Sequence, residues 1–117
     1  MNESHAQLLE SLSAHVFGES APSTRLLEDG VFPANWVTRY EALVESASHV
    51  WASERLWPRE LVAAIHFASF YLHARYQAWT LGGGRREKTE AQLDRVRAVS
   101  EVFLLGSTSE DRAKHRQ

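Results

Sequence analysis

Residues 58–81 read PRELVAAIHFASFYLHARYQAWTL, and this stretch decides the fold. It opens on Pro58, a residue suited to a first helical turn, and contains no glycine and no second proline. Leu61, Ile65, Ala68, Leu72 and Trp79 recur at helical spacing and mark one face. Phe67, Phe70, Tyr71, Ala74 and Ala78 extend apolar surface around most of the circumference. A helix that is apolar on most sides is buried on most sides. The pattern predicts a helix from Pro58 to about Leu81, lying at the centre of the molecule or at a subunit interface. Phe67, Phe70 and Tyr71 are expected in an interface wherever the core does not take them, so a homodimer through this helix is one expectation.

The flanking segments read as helices that pack on it. Leu8, Leu9, Leu12, Val16 and Phe17 form one stripe on a first helix from about Ser4 to Phe17, stopped by Gly18. Ser4 and Gln7 have the spacing of a capping box. A linker extends to Phe32, with a short helical turn from Ser23 to Asp29 ended by Gly30. A second long helix is expected from Pro33 to about Arg55, with Trp36, Tyr40, Leu43, Val44, Ala47, Val50 and Trp51 at intervals of three and four. After Gly82-Gly83-Gly84-Arg85-Arg86, a hinge-like loop, the fourth helix runs from about Thr89 to Leu105. Its stripe is Leu93, Val96, Val99, Val102 and Phe103, and Thr89 and Gln92 again have capping-box spacing. Gly106 ends it. Residues 107–117 are polar and are expected to be a flexible tail. Short connections between long helices favour antiparallel neighbours. The expected fold is an all-α, single-domain antiparallel bundle over residues 1–106, with four main helices and a short extra helical turn after the first.

Composition narrows the function classes. The chain has 117 residues, 44% of them hydrophobic and 24% charged, which is the balance of one globular domain. A formal net charge of −2 supplies no overall field to attract nucleic acid or an anionic membrane. Without cysteine there is no disulfide, no thiolate metal site and no cysteine nucleophile. The most apolar run, Leu61 to Leu72, is too short to span a bilayer. The N-terminal residues lack the basic and then apolar layout of a signal peptide, so a cytoplasmic location is expected.

The candidate functional residues lie mainly on the third helix. His66, Ser69, His73, Gln77 and Thr80 are spaced by three and four and share one face. Three roles fit such a line: a solvent-facing side, a binding face flanked by Phe70, Tyr76 and Trp79, or a catalytic or metal site. For metal binding the geometry is unfavourable. His66 and His73 are seven residues apart, about 10.5 Å along a helix axis, too far to share one ion. Glu45 and His49 have one-turn spacing but need a further ligand from another helix. No metal and no cofactor are therefore expected.

The segment from Arg59 through Glu60 to His66 resembles the HEPN ribonuclease families, in which an arginine is followed, after four to six residues, by a histidine on a helix of an all-α bundle. The resemblance covers one helix and two residues. It implies a dimer whose paired motifs meet in a shared cleft. His66 would act as general acid or base on the ribose hydroxyl, and Arg59 would stabilise the phosphorane. The residue after the arginine is here Glu60, whose charge opposes phosphate.

Two further features complete the set of candidates. Arg85 and Arg86, in a glycine-rich loop before a helix, are suitable parts for holding a phosphate. However, no P-loop lysine and no preceding strand accompany them. Trp57, beside Pro58, is either a staple between the second and third helices or an exposed anchor for a partner. No serine sits in a nucleophile elbow, and the carboxylates are scattered. The expected function is a small non-enzymatic module that binds another protein, in particular a bacterial immunity protein that neutralises a toxin, or a regulatory protein. Its binding residues would be His66, Ser69, His73, Gln77, Trp57, Arg85 and Arg86. The alternative is the dimeric HEPN-like ribonuclease built on Arg59 and His66.

Overall fold

The computed structural model of the chain describes residues 3–18, 21–33 and 35–106. They form α1 (Glu3–Phe17), α2 (Ser23–Glu28), α3 (Trp36–Trp51), α4 (Arg59–His66), a π-helical turn (Phe67–Tyr71), α5 (Leu72–Thr80) and α6 (Glu87–Leu105). At both junctions around the π turn, at His66, Phe67, Tyr71 and Leu72, the backbone keeps right-handed helical dihedrals. α4, the π turn and α5 are thus one continuous rod, the central helix. Counted so, the described residues form an all-α bundle of four long helices with the short α2. The expected tail, residues 107–117, lies outside the described residues.

α1 packs on α3 and α4, α3 packs on α6, and α6 crosses the π turn, while α2 lies on α5. The apolar stripes drive this arrangement. Leu12 and Val16 of α1 are buried, with Val37, Tyr40, Val44, Ala47 and Trp51 of α3 and Leu61, Ile65 and Leu72 of the central helix. Each large aliphatic or aromatic side chain among them contributes about 1.5–3 kcal/mol when fully buried, more than local helix propensity supplies.

Several element ends differ from the sequence expectation. α3 starts at Trp36 rather than Pro33 and ends at Trp51 rather than Arg55. The residues from Ala52 to Arg55 are all exposed and give the core nothing to hold. α6 starts at Glu87, not Thr89, so Thr89 sits inside the first turn and does not cap. Its hydroxyl instead donates to Gly30 O at 2.7 Å. α1 likewise begins at Glu3, which places Ser4 within its first turn. On α6, Ser100 is buried and Val102 is exposed, the reverse of the expected stripe. Ser100 is held there by donating to Val96 O at 2.7 Å and accepting from the Tyr40 hydroxyl at 2.6 Å.

The π turn has no counterpart in the sequence expectation, and it resets the register of the central helix. Ala68, Leu72 and Tyr76 are all buried, separated by two successive steps of four. Such steps drift by only about 80° in an unbroken α-helix, within the width of one apolar stripe. A π turn takes up one extra residue, so the residues C-terminal to it are displaced by about one position, or ~100°. Tyr76, expected beside the polar line, is a core residue.

The loop from Gly82 to Arg86 is clamped rather than hinge-like. The Trp79 indole lies between Gly30 and Gly84, and a Cβ on either glycine would sit 2.5 Å from its ring. The Arg86 guanidinium covers the same ring at 5.5 Å and donates to Asp29 O at 2.9 Å. Arg86 N–H donates to the Tyr76 hydroxyl at 2.8 Å. The segment around α2 is thereby fixed to the junction of α5 and α6.

Candidate functional site

The π turn divides the polar line predicted from sequence. His66 and Ser69 stay near the turn. His66 is exposed and stacks on Phe70 with ring centroids 5.7 Å apart, while the Ser69 hydroxyl is spent on His66 O at 3.1 Å. His73, Gln77 and Thr80 lie instead in a groove of about 300 Å³ between α5 and α6, facing Glu90 and Asp94. Burial holds the His73 imidazole below its ordinary value, and Arg97 adds to this. Asp94 and Glu90 oppose the effect. At the end of this groove the Tyr76 hydroxyl donates to Glu90 Oε2 at 2.8 Å. That hydrogen bond and the Arg85 guanidinium, 3.2 Å from the other carboxylate oxygen, keep the Glu90 carboxyl below its ordinary value.

The other predicted residues are spread over separate places. Arg85 is paired with Glu90, and Arg86 is part of the Trp79 clamp. Trp57 is half-buried with its ring 4.7 Å from Phe103 of α6, so it joins the connection between α3 and α4 to the far end of α6. Its indole N–H is buried without a hydrogen-bond partner among the described residues. Glu45 and His49 line a groove whose other wall is Ala98, Val99 and Val102, with neither His66 nor His73 opposite them. Among the described residues no three histidine or carboxylate side chains converge on one point. Arg59 and His66 are both exposed on α4, two turns apart.

The most continuous surface feature is aromatic. Phe70 is 64% exposed, Phe17 49% and Tyr71 39%. Phe17 lies 4.9 Å from Phe67, and Phe67 lies 4.6 Å from Tyr71. Arg75 extends the strip by lying over the Tyr71 ring at 5.6 Å. The strip runs from the end of α1 across the π turn, with His66 and Phe70 beside it. Phe70 and Tyr71 are legible in the sequence as apolar surplus, but Phe17 reads there as core. Its place at a helix terminus, immediately before Gly18, is the one signal that it stands outside the packed stripe.

No protein-family model, no curated protein and no solved structure matches this chain. Among the described residues no helix is long and apolar enough to cross a membrane.

Proposed function

We propose that the chain is a non-catalytic module that binds another protein through the aromatic strip at the π turn. The observation that carries this reading is the run of ring contacts from Phe17 through Phe67 to Tyr71, with Phe17 and Tyr71 exposed and Phe70, also exposed, on the same π turn. Aromatic side chains bring large contact area at low entropic cost and are enriched among residues that dominate binding energy. His66 and Arg75 supply a polar border. Within this class we favour a cytoplasmic neutralising role, the immunity partner of a bacterial toxin. The mild acidity of the chain complements a basic partner surface.

The test is purification of the tagged chain from its native cell, with solution mass measured in parallel. A stoichiometric partner is expected with the unaltered chain. Phe70→Glu should weaken that association by about thirtyfold or more, the effect of losing a residue worth ~2 kcal/mol. Its thermal midpoint should not change, because the side chain is mostly in water. A second copy of the chain on the same strip would appear as a dimer that Phe70→Glu dissociates. Ribonuclease activity lost in both Arg59→Ala and His66→Ala would replace this reading with the HEPN-like one.

A further inference from the structure

The start of α6 forms a second cleft, separate from the aromatic strip. It encloses about 530 Å³ between Val31 and Phe32 on one side and residues Arg85 to Thr89 with Gln92 on the other. That volume is within the usual range for small-molecule sites. Three features of the cleft concern one kind of ligand.

First, α6 has 19 residues and no side chain caps its N-terminus. Its first i,i+4 bond is from Glu90 N–H to Arg86 O, so the amides of Glu87, Lys88 and Thr89 precede the hydrogen-bonded ladder. The Thr89 hydroxyl donates to Gly30 O, and no side-chain hydrogen bond caps these amides. Free first-turn amides and the helix dipole favour a negative group.

Second, Gln92 lines the cleft, is only 8% exposed, and its side-chain amide has no hydrogen-bond partner among the described residues. Side chains on a helix lean toward its N-terminus. Gln92 lies one turn after Lys88 on the same helix face and lines the cleft with Glu87, Lys88 and Thr89. An amide is both donor and acceptor, so it matches a peptide-like group better than a bare anion.

Third, the walls limit charge and polarity. Val31 and Phe32 are apolar. Arg86 and Lys88 supply positive charge, Glu87 offsets part of it, and Arg85 is already paired with Glu90. One negative charge is matched here better than two.

We propose that this cleft binds a monocarboxylate that carries an adjacent amide and an apolar side chain. This is the chemistry shared by an N-acyl apolar amino acid and by the C-terminal residue of an apolar-ended peptide. The carboxylate meets the first turn of α6 and Lys88, the amide pairs with Gln92, and the apolar side chain rests on Val31 and Phe32.

The experiment is titration of the isotopically labelled full chain with N-acetyl-L-leucine, monitored by backbone amide shifts. Perturbation centred on Glu87, Lys88, Thr89 and Gln92 is expected, with a dissociation constant of about 1 mM. N-acetyl-L-leucinamide, acetate and inorganic phosphate should each bind at least about tenfold more weakly. Gln92→Leu and Lys88→Ala should each weaken N-acetyl-L-leucine by about tenfold. If Gln92→Leu does not fold, Lys88→Ala decides, since that side chain is exposed. A leucine-ended tetrapeptide with a free carboxylate supports the site whether it binds more or less tightly, and the order identifies the source as a chain end or a small molecule. No perturbation at residues 87–92, equal binding of the uncharged amide, tighter binding of phosphate, or unchanged affinity in a folded variant would overturn the proposal.

Discussion

Tyr40 and Ser100 show how single polar atoms constrain this core. The Tyr40 hydroxyl donates to Ser100 Oγ at 2.6 Å, and Ser100 directs its own proton to Val96 O at 2.7 Å. Both side chains are buried, and burial raises the Tyr40 pKa well above the ordinary phenol range. Ser100→Ala removes the acceptor and leaves the phenol unpaired in the core, which should cost about 1–3 kcal/mol. Tyr40→Phe alone should cost less, about 1 kcal/mol, because Ser100 keeps its bond to Val96 O. The double variant should be less destabilised than the sum, since neither polar atom then waits for the other. Chemical denaturation of the four proteins checks this, and strict additivity would mean that the two hydroxyls do not interact. None of this pairing is visible in the sequence. Ser100 lies one residue after Val99, in a stripe that a hydrophobic reading fills with valines, and only the three-dimensional position of Tyr40 explains a buried serine there.

The central helix is the element on which sequence and structure differ most usefully. Its apolar composition, its opening proline and its lack of internal glycine make the rod legible from end to end. The π turn is not legible, because an interval of four is as acceptable to an α-helix as an interval of three. The extra residue shows in the backbone of Phe67–Tyr71 and not in the spacing of the buried residues. Deletions should distinguish the turn from its surroundings. Removing Phe70, an exposed residue inside the turn, should convert Phe67–Tyr71 to regular α-helix while keeping Leu61, Ile65, Leu72 and Tyr76 on the core face. Far-ultraviolet circular dichroism should show full helicity and a cooperative thermal transition. Removing Ala63, also exposed but inside regular α4, should rotate the whole preceding turn by ~100° and abolish cooperative unfolding. Equal damage from the two deletions would show that the turn is not a one-residue insertion. The same element explains the fate of the predicted site. His66 and His73 are collinear in sequence periodicity, but the turn separates the stacked His66–Phe70 pair from the groove that holds His73.

At the scale of the molecule, the bundle is legible because glycine and proline punctuate four amphipathic stripes. The surfaces are legible only where surplus aromatics are counted. Phe70 and Tyr71 stand out in this way, whereas Gln92 reads as half of a capping box. It is instead a polar residue within the buried stripe of Thr89, Leu93 and Val96. The distribution of histidines also sets how the whole fold responds to acid. His15 joins α1 to α3: its ring stacks on Trp36 at 4.5 Å, its Nε2–H donates to Trp36 O at 2.9 Å, and Trp36 Nε1–H donates to His15 O at 3.0 Å. Burial lowers the His15 pKa from 6.5, the Trp36 carbonyl opposes that shift, and Arg39 reinforces it. His73 is also lowered, first by burial. The folded chain therefore binds fewer protons than the unfolded chain across this range, so stability increases with pH. It should be at its plateau above about pH 6.5, and fall as the pH drops below that value while unfolded histidines take up protons. The loss ends only when the pH passes the lowered folded-state values. Glu90 adds a loss of the same sign in a lower window, beneath the ordinary glutamate value of 4.5. Urea midpoints measured between about pH 7.5 and pH 5 should therefore decline toward acid. His15→Gln should lower the midpoint at every pH yet flatten the decline, and adding His73→Gln should flatten it further. A midpoint that rose on acidification would require the imidazolium to be favoured in the folded state, contrary to the burial of His15 between α1 and α3.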